Sequence, residues 1–398
     1  MNIDEKRPNL IRLGVIGIGN MGSEHCRNLV AGKCPETALS AVADLREDRL
    51  AWAASSLPAS VRRFATAGEL LQAGCCDAVL IAVPHPLHPV IALEALEAGL
   101  PVLCEKPAAV AAKDARRMLD ASRRLHVPLA LMFNQRTNCL YRAMKHTLDS
   151  GRLGKIKRVT WIVTDWYRTQ KYYDSGSWRA TWKGEGGGVL LNQCPHQLDL
   201  LIWLCGLPVR VDAHCHEGKW HHIEVEDDVT AYLEFEGGAT GVFITSTGDL
   251  PGINRLQIDC EQGQLICENG EVRCILLDQS ERTVCFGSDD PWYHPEVHPF
   301  LLETDGKNDQ HVGVINAFAA HLLRGEPLVA SAEDGVRALE LSNAMHLSGW
   351  LGRPVSLPLD EVLFARLLQE KIDASVPKDT VDITYATSHQ HTGARCGC

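Results

Sequence analysis

The stretch from Arg12 to Gly22, read as Arg-Leu-Gly-Val-Ile-Gly-Ile-Gly-Asn-Met-Gly, limits the chain more than any other. An apolar strand-like run to Ile16 meets glycines at 17, 19 and 22, and a helical pattern follows from about Ser23 to Ala31. In such a strand-turn-helix, the first glycine permits the tight turn and the second lets a pyrophosphate approach the backbone. The third lets helix and strand pack closely, with phosphate on the helix N-terminus. Gly17, Ile18, Gly19, Asn20, Met21 and Gly22 are therefore expected to cradle a dinucleotide. The next strand, Leu39 to Ala43, ends at Asp44, which can accept hydrogen bonds from ribose hydroxyls and repels a 2'-phosphate. This favours NAD over NADP, although Arg46 and Arg49 weaken the preference.

Strand and helix patterns continue to alternate through the first third. Ala78 to Val83 is an apolar strand closed by Pro84-His85-Pro86 and a helix from about Val90; Pro101 to Cys104 ends in Glu105-Lys106-Pro107; Pro128 to Phe133 follows another helix. This predicts a doubly wound parallel sheet, with ligands beyond the strands' carboxyl ends. Val83, Pro84, His85, His88, Glu105 and Lys106 lie there and are expected to line the cofactor with Asp44 and Arg46.

A chain of 398 residues suits two domains rather than one core. From about Gly154 the pattern changes to alternating strands with glycine and Asn-Gly turns, from Ile156 to Glu268. The expected class is α/β: an N-terminal Rossmann doubly wound sheet over 1–135, then a C-terminal α+β domain over 136–375. The second domain should carry a large open, mostly antiparallel sheet, and helices are expected near Val312 to Leu323 and Ala332 to Leu351. Residues 376–398 read as a polar tail. An apolar outer face on the second sheet would suit a homo-oligomer interface.

The formal net charge of −11 argues against nucleic-acid or anionic-membrane partners, which need a basic face. Met1 to Leu10 is polar, and no apolar run approaches the roughly 18 residues of a membrane span, so a cytoplasmic protein is expected. The 15 cysteines lack C-x-x-C spacing; Cys260, Cys267 and Cys274 read as small buried strand residues. No metal is expected, either at His214-Cys215-His216 or at His389, His391, Cys396 and Cys398.

Within the second domain, Gly186-Gly187-Gly188 runs into an apolar stretch that reads as a helix starting near Asn192, with Pro195 in its first turn. Asn192, His196 and Asp199 would then stack on one side. The competing structural reading makes Asn192 an N-cap, His196 a core histidine and Asp199 a capping group. Upstream, Trp166, Tyr167, Arg168, Tyr172, Tyr173, Trp178, Arg179 and Trp182 supply aromatic faces and guanidinium groups suited to a sugar ring, its hydroxyls or an attached anion. Tyr167, Arg168, Trp178 and Arg179 are the leading substrate contacts, with about half of the aromatics expected to touch substrate and the others to be core or interface residues.

Taken in order, Gly17 to Gly22, Glu105-Lys106-Pro107, the three glycines with His196 and Asp199, and Ser331 to Gly335 before a long helix make the chain closely resemble the Gfo/Idh/MocA family (glucose-fructose oxidoreductase, inositol dehydrogenase and rhizopine catabolism) over about residues 10 to 360. The resemblance implies an NAD(P)-dependent oxidoreductase acting on a sugar or cyclitol, a C-terminal sheet that builds oligomers, Lys106 as catalytic lysine and His196 as catalytic histidine. Relatives commonly carry aspartate where this chain has Asn192, and an amide orients a hydroxyl but does not take its proton. Relatives often carry Asn where this chain has His85.

The residues support the same chemistry. A Lys106 ammonium stabilises a developing alkoxide, and His196, with an ordinary pKa near neutrality, suits acid-base work. Asn192 would hold the substrate hydroxyl. Two alternatives accompany this dehydrogenase: a glycosidase that oxidises a sugar transiently with NAD and eliminates its aglycone, and a non-catalytic NAD-binding regulator.

Overall fold

The computed structural model describes residues 10–376 and Lys378. The chain opens with β1 (Ile11–Ile16), α1 (Asn20–Val30), β2 (Thr37–Ala43), α2 (Glu47–Ser56), β3 (Arg62–Phe64), α3 (Ala67–Gln72) and β4 (Ala78–Ile81). It continues through α4 (His88–Glu97), β5 (Val102–Cys104), α5 (Ala112–Leu125) and β6 (Leu129–Leu131). These six strands form one parallel sheet in the order β3-β2-β1-β4-β5-β6. Residues of β4, β5 and β6 are all buried, as parallel strands covered by helices on both faces must be. The strand order reverses between β1 and β4. The turn after β1 and the loop after β4 both leave from this switch point, where such sheets bind ligands.

The second series begins with α6 (Cys139–Asp149), β7 (Ile156–Val163), α7 (Gln170–Tyr173) and α8 (Pro195–Cys205). Then come β8 (Arg210–Glu217), β9 (Glu226–Glu234), β10 (Thr240–Ser246), β11 (Asn254–Cys260), β12 (Gly263–Glu268), β13 (Glu271–Leu277), α9 (Glu281–Gly287) and β14 (Val297–Leu301). After α10 (Gln310–Arg324) and α11 (Ala332–Leu351), the short β15 (Val355–Ser356) and α12 (Glu361–Ala374) end the described chain. The nine-stranded sheet runs β14-β13-β12-β11-β7-β10-β9-β8-β15, antiparallel except for the β7/β10 pair. Its buried face carries Val159, Trp161, Phe243, Ala231, Leu256 and Ile258, together with Cys260, Cys267 and Cys274. The other face is mixed: Ile162, Val242, Ile244 and Tyr232 share it with Arg255, Gln257 and Asp259, which are linked by side-chain hydrogen bonds.

The chain divides into two compact units. The first runs to Arg136 and takes back Asp309–Leu339; the second holds Thr137–Asn308 and the described residues from Glu340 on. The return of 309–339 differs from the expected run of 136–375 as one domain. Its cause is packing: Val314, Ile315, Phe318 and Ala319 of α10 join Leu13, Val15, Leu29 and Val42 in the first unit's core. A second difference concerns α8, which starts at Pro195 and not near Asn192. Proline is favoured at that first helical position, and residues 189–194 form turns ahead of it. The expected tail lies outside the described residues, apart from Val376 and Lys378.

Phe318 is 2% exposed. Its replacement by Ala is expected to cost about 3–5 kcal/mol in the first unit, seen as a lowered thermal midpoint. By contrast, Phe286→Ala, at a side chain 81% exposed, should shift stability by less than about 0.5 kcal/mol. Equal effects would contradict the core placement of α10.

Candidate functional site

In the first unit the glycines divide by role. A β-carbon on Gly17, whose φ is +85°, would lie 2.6 Å from the Ala82 carbonyl oxygen, and one on Gly22 would lie 1.9 Å from the Gly17 carbonyl oxygen. These two let β1, α1 and the β4 loop touch. Gly19 differs, because a β-carbon there meets nothing within 4 Å. Open space in front of an amide at a helix N-terminus is what an approaching pyrophosphate needs. The Asp44 carboxylate is fixed by the Ile18 N–H (2.8 Å) and the Arg46 N–H (2.9 Å). The Arg46 guanidinium forks onto Asp48, while Arg49 donates to the Ile18 carbonyl and lies over Trp52. The acid thus stands at the end of β2 with both arginines engaged elsewhere, and the residues present fit NAD.

Beyond β4 and β5 the expected contacts are braced by histidines. Both ring nitrogens of buried His88 face backbone carbonyls, Val83 at 2.8 Å and Pro107 at 2.7 Å, so one side chain ties the two strand-end loops together. Burial pushes His88 below its ordinary pKa, against the pull of those carbonyls. His85 is buried in the short turn after Pro84, its ring 6.0 Å from that of His88. Lys106 is half-buried next to Pro107, and its N–H donates to Glu105 (3.2 Å). Glu105 is buried against His25 of α1 at 2.7 Å, and the His25 ring meets His311 of α10 at 5.4 Å. Burial works to raise the Glu105 carboxyl, but the hydrogen bond and charge of His25, with His311 and Lys106 behind it, bring it down to about 2. Burial lowers His311 to about 4.

In the second unit, the three glycines and the histidine turn hang on Glu226, the first residue of β9. Its buried carboxylate accepts from Gly188 N–H (2.9 Å) and Leu190 N–H (3.0 Å), and its carbonyl accepts from Val189 N–H. A β-carbon on Gly188 would lie 1.9 Å from that carbonyl oxygen, and Gly186 has φ +83°. His346 lies 3.1 Å from the same carboxylate. Past this turn, His196 and Asp199 are buried on α8, one helical turn apart, and half-buried Asn192 precedes the helix. The Asn192 amide nitrogen donates to Glu185.

The aromatic segment splits as its composition suggested. Trp166, Tyr173 and Trp182 are buried, with the Tyr173 hydroxyl on Thr247 and the Trp182 indole N–H on Glu224. Tyr167 is 40% exposed. Arg168 donates to the carbonyls of Trp166 and Tyr167. Arg179 lies 4.5 Å from the ring centres of both Tyr172 and Trp178, and donates to the Tyr172 hydroxyl. Both arginines therefore serve the segment's own shape. Sequence reasoning missed His25, His311, Glu185 and Glu226. Of these, His25, three residues after the last glycine of the first motif, and Glu185, directly before Gly186, lay beside recognised signals.

Residues 11–133 match the oxidoreductase family with the NAD-binding Rossmann fold, and residues 141–266 match the GFO/IDH/MocA C-terminal domain. The inositol 2-dehydrogenase of Streptomyces avermitilis is 32% identical over 280 residues, which cover 66% of this chain and 72% of that protein. The chain belongs to the Gfo/Idh/MocA family. It is an NAD-binding oxidoreductase of that family. The myo-inositol 2-dehydrogenase of Thermotoga maritima is 26% identical over 367 residues, 89% of this chain and all of that one. The solved WlbA dehydrogenase from Bordetella pertussis, in complex with NADH and UDP-GlcNAcA, is similar with a TM-score of 0.72 and 28% identity, covering 88% of this chain and all of that one. Among the described residues of this Gfo/Idh/MocA chain, no cluster of three His, Cys, Asp or Glu side chains forms a metal site. No described helix is long and apolar enough to cross a membrane. The tail residues His389, His391, Cys396 and Cys398 lie outside the described residues.

Two expectations follow. Gly19→Val should keep the wild-type thermal midpoint while weakening NAD binding at least about tenfold by fluorescence titration, because its side chain fills space that only the cofactor needs. Unchanged NAD affinity would remove Gly19 from the cradle. The second concerns acid. The unfolded chain protonates a histidine near 6.5, whereas folded His311 waits until about 4, so stability falls as pH drops through that window. Glu105 adds a further loss between about 4.5 and 2. His311→Asn should lessen the fall of the urea midpoint between pH 6.5 and 4, leaving the share owed to buried His88, and keep the lower window in place.

Proposed function

We propose that this chain transfers hydride between NAD and a secondary hydroxyl of a sugar, glycoside or cyclitol. Bound NAD supplies the hydride acceptor; the protein supplies orientation, charge and a proton path. The observation that carries the reading is the bracing of Lys106: the residues on either side of it are tied to α1 and α4 by buried histidines, a costly arrangement for an ordinary surface lysine. In this reading the Lys106 ammonium stabilises the alkoxide that develops as the hydroxyl ionises. In the second unit, His196 accepts the reacting hydroxyl's proton as general base, and Asn192 holds a hydroxyl of the substrate in line without taking a proton. Tyr167 and Trp178 are the aromatic surfaces assigned to the substrate ring, and Val83, Pro84 and His85 line the nicotinamide end of the cradle.

The test is absorbance at 340 nm after mixing the protein and NAD with myo-inositol, free hexoses, aryl glycosides and UDP-GlcNAcA. A rise with one of them supports the reading, and aglycone release without a rise would replace net oxidation by transient oxidation. Lys106→Ala should then reduce kcat by at least about 100-fold while NAD still binds. Full turnover in that variant would remove Lys106 from the chemistry. The same reading has the chain form a homo-oligomer through its C-terminal sheet, supported by Ile162, Val242, Ile244 and Tyr232 on that sheet's outer face. A monomer mass by light scattering at micromolar concentration would sink that part alone.

A further inference from the structure

Glu185 is 1% exposed and belongs to no part of the chemistry described above. A carboxylate so placed loses its hydration and persists only where fixed partners replace water. Several are on the second unit. The Ala180 N–H donates to Oε2 at 2.6 Å, the Asn192 amide nitrogen donates to Oε1, and the Arg179 guanidinium stands 3.9 Å from Oε1. Arg179 is itself held by the Tyr172 hydroxyl (2.8 Å), which also accepts from the Gln193 side chain (3.3 Å). A closed circuit therefore runs from the aromatic segment through Arg179 and Glu185 to Asn192 and Gln193, the residues just ahead of His196.

An amide has two ends of opposite hydrogen-bonding sense. A carboxylate only accepts, so it draws the amide nitrogen to itself and turns the amide oxygen the other way. We propose that Glu185 is the positioning carboxylate of the histidine turn, polarising Asn192 so that its amide oxygen, not its nitrogen, is offered to a substrate hydroxyl. This rests on the reading of Asn192 and His196 as the substrate-hydroxyl site. The carboxylate sits one side chain behind Asn192, which passes on its polarity. The hydroxyl that donates to Asn192 is a neighbour of the reacting one, whose single proton is left for His196 in the proposed chemistry. Protonated Glu185 reverses the arrangement, because a carboxylic acid donates and then prefers the amide oxygen. Burial raises the Glu185 pKa, opposed by Arg179, while Glu226 adds to the rise; Tyr173 and Lys378 are the other titrating groups that feel its charge. The polarity of Asn192 thus follows the ionisation of one buried group.

The experiment is a two-by-two set: wild type, Glu185→Gln, Asn192→Asp and the double variant. Each is assayed from pH 5.5 to 9 on whichever panel substrate the wild-type protein consumes, with NAD affinity and thermal midpoint measured in parallel. Glutamine both donates and accepts, so E185Q should lower kcat about tenfold, with NAD affinity unchanged and the acid limb of the kcat profile displaced. N192D sets two carboxyl groups against each other; they share one proton, and activity should fall about 100-fold with a strongly altered pH profile. In the double variant the aspartate faces an amide, and turnover should recover to within about threefold of wild type, well above N192D. Losses that multiply in the double variant, or an E185Q enzyme with wild-type kcat and pH profile, would overturn the proposal. A purely structural Glu185 would lower the thermal midpoint in E185Q without recovery in the double variant, which also overturns it. Asn192→Ala separates this failure from failure of the wider reading: wild-type turnover there removes the turn from catalysis and the proposal with it. A protein that consumes no panel member fails at the functional reading and takes the proposal down too.

Discussion

Both units depend on places where two backbones pass too closely for a β-carbon. At Gly22 the missing methylene lets α1 sit directly on the β1 turn, 1.9 Å being all that a β-carbon would have before striking the Gly17 carbonyl oxygen. At Gly188 the same clearance brings the turn ahead of α8 onto the first residue of β9. Each close pass then fixes something chemical. The first aims helix amides at open space in front of Gly19; the second lets the Glu226 carboxylate collect two backbone N–H groups and hold the turn that leads to His196. In both cases glycine is present for what it lacks.

This explains which parts were legible from sequence. The glycine triads, Asp44 at the end of β2 and Lys106 after β5 are local: spacing and strand pattern are enough to place them. The start of α8 was misjudged by about three residues because proline is tolerated anywhere in a first turn, and only the structure shows it as the first helical residue. The destination of α10 was not legible at all. Its apolar face reads the same whether it covers a parallel or an antiparallel sheet, and only the packing of Phe318 beside Val15 and Val42 assigns it to the first unit. His25 and Glu105 are 80 positions apart, and Glu226 and Gly188 are 38 apart. No periodicity announces such pairs.

The charged groups follow a common rule. Surface acids give the chain its net charge of −11, and most of their ion pairs are exposed and weak. Six acids are buried among the described residues, Glu105, Glu185, Asp199, Glu226, Asp227 and Glu340, and three of them hold other groups near the candidate site. Glu105 ties the backbone of Lys106 to His25 of α1, Glu185 holds the amide of Asn192, and Glu226 anchors the glycine turn. Burial has been spent on carboxylates that hold other groups in place, while the groups assigned to the reaction are a lysine, a histidine and an amide. The substrate-facing chemistry proposed for this family member accordingly uses positively charged and neutral side chains.

The His88 ring also bears on how this domain can vary in length. Its two nitrogens reach carbonyls at positions 83 and 107, on loops that follow different strands. An insertion in either loop would pull one carbonyl away from a ring of fixed width. Those two loops therefore tolerate an exchanged side chain better than an added residue.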